Sequence, residues 1–519
     1  MTEEQKMASQ ETLSTTVMTL YNNIPYSVIA DDLFNMHKDA YQTEMNEIVK
    51  LYEAYKKGEE FLTEGTNSNY VPSTLRYKKA ASIVNKEARF LFANPPTFNV
   101  NIDDVSDEVK KQNAIVQDFL DAVLSKNNFN EKLLKAAKDC FIGKRVALVL
   151  NFNDVSGITI TFLNSLEFIY ETSGFGSNEL QKIVMFSNLN DTSYKEKQRW
   201  FKKTYTLENG AVYVEENIYD GLGKLIEPVL QKTKTLFTYI PAVVILNDGL
   251  TGENKGESEL GYLLDYEAGY SKLANADIDA ERKGMNPTRW TVDASQESTA
   301  NLSIAPGSYW DIQSDDEKSI ERQAQVGMME PTMAYSAALK NTLDRLENAM
   351  YSEVDVPNIN SEQLQGVITS GKTLKALYWG LTVRCDEKML TWSAALHFLA
   401  NAIIEGARLY PKTVVKYTAV SSLPDIRCEI LVENNYPLPE DEAEEKNMDL
   451  AEVDAQVMSR KAYLKKWRKL NDDEAEKELL QIKAEQDLFE NSMLPFEKED
   501  DFTLEEEDAI VGTNPIDTI

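Results

Sequence analysis

Apolar residues recur at helical spacing from Ile29 to about Lys57 and again from Pro72 to Phe92, and "NPPTFNV" then breaks the second run before an extended segment. Two more amphipathic runs, Val105 to Lys126 and Asn130 to Ile142, predict another helix pair. The period then changes. "KRVALVLNFN", "ITITFLN", "EFIYET", "KIVMFSN", "KTYTLENGAVYVEENIYD" and "FTYIPAVVIL" alternate or run apolar, with turn clusters such as Asp154 to Gly157 between them. They predict an antiparallel sheet region in which "ENGA" turns a hairpin.

From Glu257 the helical period returns for about 28 residues, on the order of 40 Å of helix. Leu260, Leu263, Leu264, Tyr270, Leu273, Ala274 and Ile278 make its apolar stripe, and Asp265, Glu267, Lys272, Asp277 and Asp279 its wet face. Short strand-like pieces around Trp290 and Trp310 follow, separated by a Ser/Asn/Gly/Pro-rich loop. A second long helix is predicted from about Ser319 to Met350, returning antiparallel to the first. After the polar loop "DVPNINSEQLQGVITS", the stretch from Thr373 to about Tyr410 is apolar at helical spacing for many turns, as in a helix packed on several sides. The pattern is α+β, with a helix-led and then sheet-rich first half.

With 519 residues the chain exceeds what one core holds, so two or more domains or one elongated architecture are expected. No apolar run is long enough to span a bilayer. "MTEEQKMASQETLSTT" reads as neither a secretory signal nor a transit peptide. Cys140, Cys385 and Cys428 lie far apart without a C-x-x-C pair, which predicts small buried apolar residues rather than disulfides or a zinc site. The two histidines, His37 and His397, stand alone in helical stretches, which argues against imidazole triads and metal sites. No catalytic residue, cofactor or metal is expected.

Charge narrows the function further. The formal net charge of -31 repels DNA and anionic membranes at long range, unlike the basic balance of a sequence-specific DNA reader. Of that excess, residues from Pro439 to Ile519 carry 25 Asp and Glu against 10 Lys and Arg. The final "EKEDDFTLEEEDAIVGTNPIDTI" reads as a solvated, disordered tail.

One motif points elsewhere. Gly366, Gly371, Lys372 and Thr373 match the G-x-x-x-x-G-K-[ST] phosphate loop of nucleotide hydrolases. Such a loop should follow a buried strand, and "PNINSEQLQ" cannot form one; the later apolar stretches "TVVKYTAV" and "CEILVENN" lack the α/β alternation of that fold. In the competing reading the same residues start a helix, with Thr369 or Ser370 as cap and Gly371 easing entry.

The ordered set of "LRYKKAASIVNKEARFLFANPPTF", "GESEL" opening a long helix, a small β excursion, a returning helix, a polar loop, "SGKTLKALY" opening another helix, and "ENNYPLPEDEAEEKNMDLAEVDAQVMSRKAYLKKW" resembles the portal proteins of tailed bacteriophages, the siphophage type in particular. Coverage runs from about Tyr21 to Leu488. The resemblance implies a non-enzymatic dodecameric ring at one capsid vertex, a channel for double-stranded DNA without sequence specificity. Its implied partners are the terminase motor, the scaffold or major capsid protein and a head-completion adaptor; no membrane is involved. Carried over by segment, it implies an N-terminal extension at 1–35 and a wing at 36–256 with a return strand at 412–439. Stem helices at 257–284 and 319–351 would flank a clip at 285–318. A tunnel loop at 352–370 would lead into a long helix at 371–411, followed by a crown at 440–493 and the acidic tail at 494–519. Asn358, Asn360, Gln363, Gln365 and Lys372 are the implied channel residues, and Arg289, Trp290, Trp310 and Asp311 the implied docking residues of the clip. An oligomeric assembly protein without a channel is the remaining alternative.

Overall fold

The structure is a computed structural model that describes residues 25–29, 32–36, 38–62, 71–101, 106–174, 179–190, 192, 194–250, 255–285, 288–299, 302, 310–315, 323–329, 333–359, 375–437, 442–468, 470 and 472–492. It is mixed helix and sheet, as the pattern predicts, and divides into a large unit (1–369 with 373–438) and a small one (439–519 with 370–372). His37 and the expected N-terminal extension up to residue 24 lie outside the described residues, as does the acidic tail after Ser492.

Helices α1 (Tyr26–Ile29), α2 (Asp32–Met36), α3 (Lys38–Lys57) and α4 (Lys79–Phe92) open the chain. Strand β1 (Thr97–Asn101) and helices α5 (Asp107–Lys126) and α6 (Phe129–Gly143) lead into β2 (Arg145–Asn153), β3 (Gly157–Asn164), β4 (Phe168–Thr172) and β5 (Leu180–Asn190). The hairpin β6 (Arg199–Glu208) and β7 (Ala211–Asp220) turns at Asn209 and Gly210, both at positive φ, which explains the "ENGA" signal. Then come β8 (Leu225–Lys234) and β9 (Ala242–Leu246). The sheets are antiparallel, in the orders β3-β2-β9 and β4-β5-β6-β7-β8. Two expectations change here. "FTYIPAVVIL" is strand only over Ala242–Leu246. Strand β8, which carries Pro228 and is exposed on both faces, has no burial alternation to mark it.

Strand β2 is the hub because both of its faces are covered. Val146, Leu148 and Leu150 enter the main core with the helices, while Ala147 and Val149 enter a second core with Phe168, Ile183 and Val212 of the five-stranded sheet. The period of 2 thus divides one strand between two cores, so its sequence reads as a continuous apolar run.

Helix α7 (Glu259–Met285) falls within two residues of the predicted start. Its opening "GESEL" has a local logic. Gly256 sits at positive φ, where a Cβ would collide with the Lys144 carbonyl. The Ser258 hydroxyl accepts the Gly261 N–H at 3.1 Å and donates to the Ile142 carbonyl at 2.7 Å, capping the helix and tying it to α6.

The wet face of α7 is only partly wet. Asp265 and Lys272 are exposed, but Glu267 and Asp279 are buried with Ser271 and Asn275 between them. These four stand at i, i+4 spacing and bind the backbone of residues 73–80, of which 73–78 run along the helix without regular structure and 79–80 begin α4. Asp279 accepts Ser73 N–H at 3.0 Å, Asn275 exchanges two bonds with Leu75 at 2.8 and 2.7 Å, and Ser271 accepts Tyr77 N–H at 3.3 Å. Glu267 accepts Ala80 N–H at 2.9 Å and so caps α4, which has no capping side chain of its own. The predicted helix from Pro72 therefore starts at Lys79; the preceding backbone donors find side chains of α7 instead of helix carbonyls.

Further along, β10 (Thr288–Val292), the short α8 (Gln296–Thr299), β11 (Gln325–Met329) and α9 (Ser336–Glu353) replace the expected helix from Ser319. The returning helix starts at Ser336, and residues 325–329 pair with 288–292. Trp310 lies in no strand; its segment joins residues 293–295 through an Ala294–Ser314 bridge and the Ser295 N–H to Gln313 carbonyl bond at 2.8 Å. Helix α10 (Trp379–Leu409) crosses the main core, and "TVVKYTAV" forms a tight 3-10 turn rather than a strand. Strand β12 (Glu429–Glu433) pairs with β1, Phe98 opposite Val432.

In the small unit α11 (Glu442–Asp454), α12 (Arg460–Arg468) and α13 (Asp472–Ser492) are linked by polar contacts. The Trp467 indole donates to Asp449 at 2.7 Å, and Lys461 pairs with Glu476 at 2.8 Å.

Asn275→Leu should leave the Leu75 N–H and carbonyl without partners, lowering stability by about 2 kcal/mol. Urea unfolding measures the loss, and hydrogen exchange should accelerate at residues 73–80 ahead of the rest of the large unit.

Candidate functional site

Three helices meet at a buried ionic cluster. Glu87 of α4 and Glu259 in the first turn of α7 face Arg384 and Lys388, one turn apart on α10; both carboxylates are fully buried. Glu259 bonds Arg384 and Lys388 directly, and Lys388 also donates to the Asn247 side chain at 3.0 Å. Asn247 in turn donates to the Glu257 carbonyl at 2.8 Å, and the Lys388 ammonium lies 4.6 Å from the Phe141 ring centre.

The two carboxylates are unequal. Burial and the neighbouring Glu259 charge push Glu87 up to about 7, because its contacts to Arg384 (3.2 Å) and Lys388 (3.5 Å) are longer and its second oxygen has no hydrogen bond. Burial opposes ionisation of Glu259 too, but the attraction of Lys388 and Arg384 outweighs it and holds that group below the usual carboxylate range. The buried thiols of Cys140 and Cys385 lie close enough to feel these charges, but burial pushes both up and keeps them as thiols, and the four charged groups act to hold the three helices together. No sequence motif marked the cluster; the signal present was Arg384 and Lys388 at i, i+4 on a helix whose other face is apolar.

Helices α7 and α9 are antiparallel neighbours. Leu346 packs 4.0 Å from a Cβ position at Gly269, Tyr335 bonds Asp277, and Lys79 pairs with Glu347 at 2.8 Å. Helix α9 ends in a Schellman motif, with Asp355 at positive φ and the Val356 N–H reaching the Tyr351 carbonyl at 3.0 Å. Asp355 then packs against Gly380 of α10, where an added Cβ would lie 3.4 Å from its own. Residues 355 and 380 are thus neighbours in space.

Of the predicted channel residues, Asn358 is described: it is half-buried and donates to the Asn348 side chain at 2.9 Å. Asn360, Gln363, Gln365 and Lys372 lie outside the described residues, together with the whole Gly366–Thr373 motif and the proposed caps Thr369 and Ser370. Residues 356–359 before it have no regular structure.

The predicted docking residues are partly brought together. The Arg289 guanidinium stacks 4.7 Å from the Trp310 ring centre. Trp290 points to the opposite face of β10, over Gly327, where a Cβ would come within 2.5 Å of the indole. Asp311 is exposed. Beside them Met285, Met328 and Met329 are exposed by 79%, 58% and 66%, a flexible apolar surface that the sequence reading did not single out.

Cys140 and Cys385 are buried, and Cys428 is half-buried. His397 lies on α10 beside Asn434 and Tyr436. Among the described residues no group of His, Cys, Asp and Glu side chains could hold a metal, and no helix is long and apolar enough to cross a membrane.

A family model described as "Phage portal protein, SPP1 Gp6-like" matches residues 31–228 and 292–488, most of the chain. No curated protein matches significantly.

Lys388→Met leaves two buried carboxylates against one guanidinium and should lower stability by about 3 to 5 kcal/mol, read by urea unfolding. Glu87 binds a proton more tightly folded than unfolded, so its contribution is complete below the unfolded value and is lost as pH rises through about 7. Between pH 5 and 8 the wild type should therefore lose stability relative to Glu87→Gln, whose neutral amide removes that slope; parallel pH profiles would contradict the assignment.

Proposed function

The chain belongs to the phage portal proteins of the SPP1 Gp6-like family, and on that premise we propose that it forms a dodecameric ring at one capsid vertex, whose channel passes double-stranded DNA during packaging and ejection. The family match over most of the chain is the observation that carries this reading. The architecture supports it. Residues 36–256 with β12 act as the wing, α7 and α9 as the stem, and the β10–β11 ribbon with its flanking segments, about 285–335, as the clip. The segment between Asp355 and Gly380 is the one that meets the DNA, α10 forms the wall, and α11 to α13 form the crown.

Translocation in both directions needs weak phosphate contacts, because each neutralised phosphate adds affinity and hence friction. A net charge of -31 suits that requirement. Asn358, Asn360, Gln363 and Gln365 offer neutral contacts to a backbone without reading sequence, with Lys372 at the far end of the loop. The clip presents Trp290, the Arg289–Trp310 stack and the exposed methionines to the terminase motor and then to a head-completion adaptor. Methionine side chains repack readily, which suits a surface that must accept successive partners. The role is architectural: hydrolysis belongs to the motor, and Gly366–Thr373 serves as the junction of loop and helix.

Negative-stain images of the purified protein should show closed rings with a central hole wide enough for a duplex. Monomers or filaments would contradict the portal reading, and rings without a hole would favour the channel-free assembly protein. The protein should also show no nucleotide hydrolysis above background, with Lys372→Ala unchanged; turnover lost in that variant would restore the phosphate-loop reading.

A further inference from the structure

The two larger sheets have four edge strands among the described residues, β3 and β9 in the order β3-β2-β9 and β4 and β8 in the order β4-β5-β6-β7-β8; β9 and β8 are the two with complementary surroundings. Beside β9 lies a groove of about 810 Å³, walled on one side by consecutive residues Ala242–Leu246 and on the other by one face of α10. Consecutive strand residues point to opposite faces, so all five can border a single groove only if the strand presents its edge to it. On α10, Leu390, Ala394, Phe398 and Asn401 follow at helical spacing, and Leu390 is 76% exposed. The charged residues lining the groove are all acidic: Glu179, Asp248 and Glu405.

The outer strand β8 is its complement. Leu225, Ile226 and Val229 are 47%, 45% and 46% exposed, with Leu222 and Leu236 exposed at its two ends. Around them Lys224, Lys232 and Lys234 face one acid, Glu227, although Lys232 also pairs with Glu208. A cationic apolar strand is unexpected in a chain of net charge -31. The apolar residues of this strand, Leu225, Ile226, Val229 and Leu230, lie beside Pro228 and the lysines, which guard the edge against indiscriminate pairing and leave it to a charge-matched partner.

We propose that the β9–α10 groove receives strand β8 of a second copy of this chain, continuing the three-stranded sheet of one subunit into the five-stranded sheet of the next. Donor and acceptor are different surfaces of one molecule. The contact is therefore heterologous and repeats around a ring, where closure covers β8 and β9 of every subunit. It rests on the ring reading above and names the surfaces that would hold the ring together.

The full chain is compared with three variants by native mass spectrometry across a dilution series: Lys224→Glu with Lys234→Glu on β8, Glu179→Lys with Glu405→Lys on the groove, and all four changes combined. Each pair alone should raise the concentration needed for assembly at least tenfold, because like charges then face each other. The fourfold variant should recover wild-type assembly, which a loss of folding could not do. Ile226→Asp with Val229→Asp, also on the exposed strand, should abolish rings while leaving a folded monomer. Wild-type rings with all variants assembling equally, or a fourfold variant no better than either pair, would overturn the contact alone. A wild type that stays monomeric would overturn the ring reading and the contact with it.

Discussion

Two carboxylates and two cations are taken out of water where α4, α7 and α10 meet, and each helix contributes at least one of them. Burying four charges has a large desolvation cost, offset only while all four stay in place with Asn247 completing the coordination. A single charge left alone is far more costly than the intact set. The cluster therefore fixes the start of α7, the middle of α10 and the body of α4 relative to one another more narrowly than apolar packing would. The Ser258 cap and the Gly256 turn bring Glu259 to this place, which gives "GESEL" a physical reason beyond its helix-starting role.

From that joint the other elements take their positions. Helix α7 leaves it toward the β10–β11 ribbon and holds residues 73–80 along its side by four polar side chains. Helix α9 comes back along α7, and Asp355 just past its end packs against Gly380 of the helix that carries Arg384 and Lys388. A joint built of paired buried charges resists small displacements, since interactions at short range in a low dielectric weaken steeply as partners separate.

Surface chemistry divides in a corresponding way. The chain as a whole is acidic, residues 358–365 are rich in neutral amides in sequence, and the ribbon displays methionine and tryptophan.

The α+β class, the "ENGA" hairpin and the start of α7 were legible in the amino-acid sequence. These follow from periodicity, turn chemistry and capping, which act over a few residues. The sequence also placed Arg289 and Trp310 in one excursion, without their stacking. Only the tertiary structure decided that Glu267 and Asp279 are buried rather than wet, that residues 73–78 are without regular structure rather than helical, that α9 begins at Ser336, and that β8 is a strand at all. In each case the deciding partner lies far away in the chain: Leu75 on Asn275, residues 325–329 on 288–292, β8 on β7. Local pattern cannot carry such pairings, because a polar i, i+4 stripe looks the same whether water or another backbone satisfies it. The charge cluster was hidden for the same reason, its four members being spread from Glu87 to Lys388 and recognisable only once folding makes them neighbours.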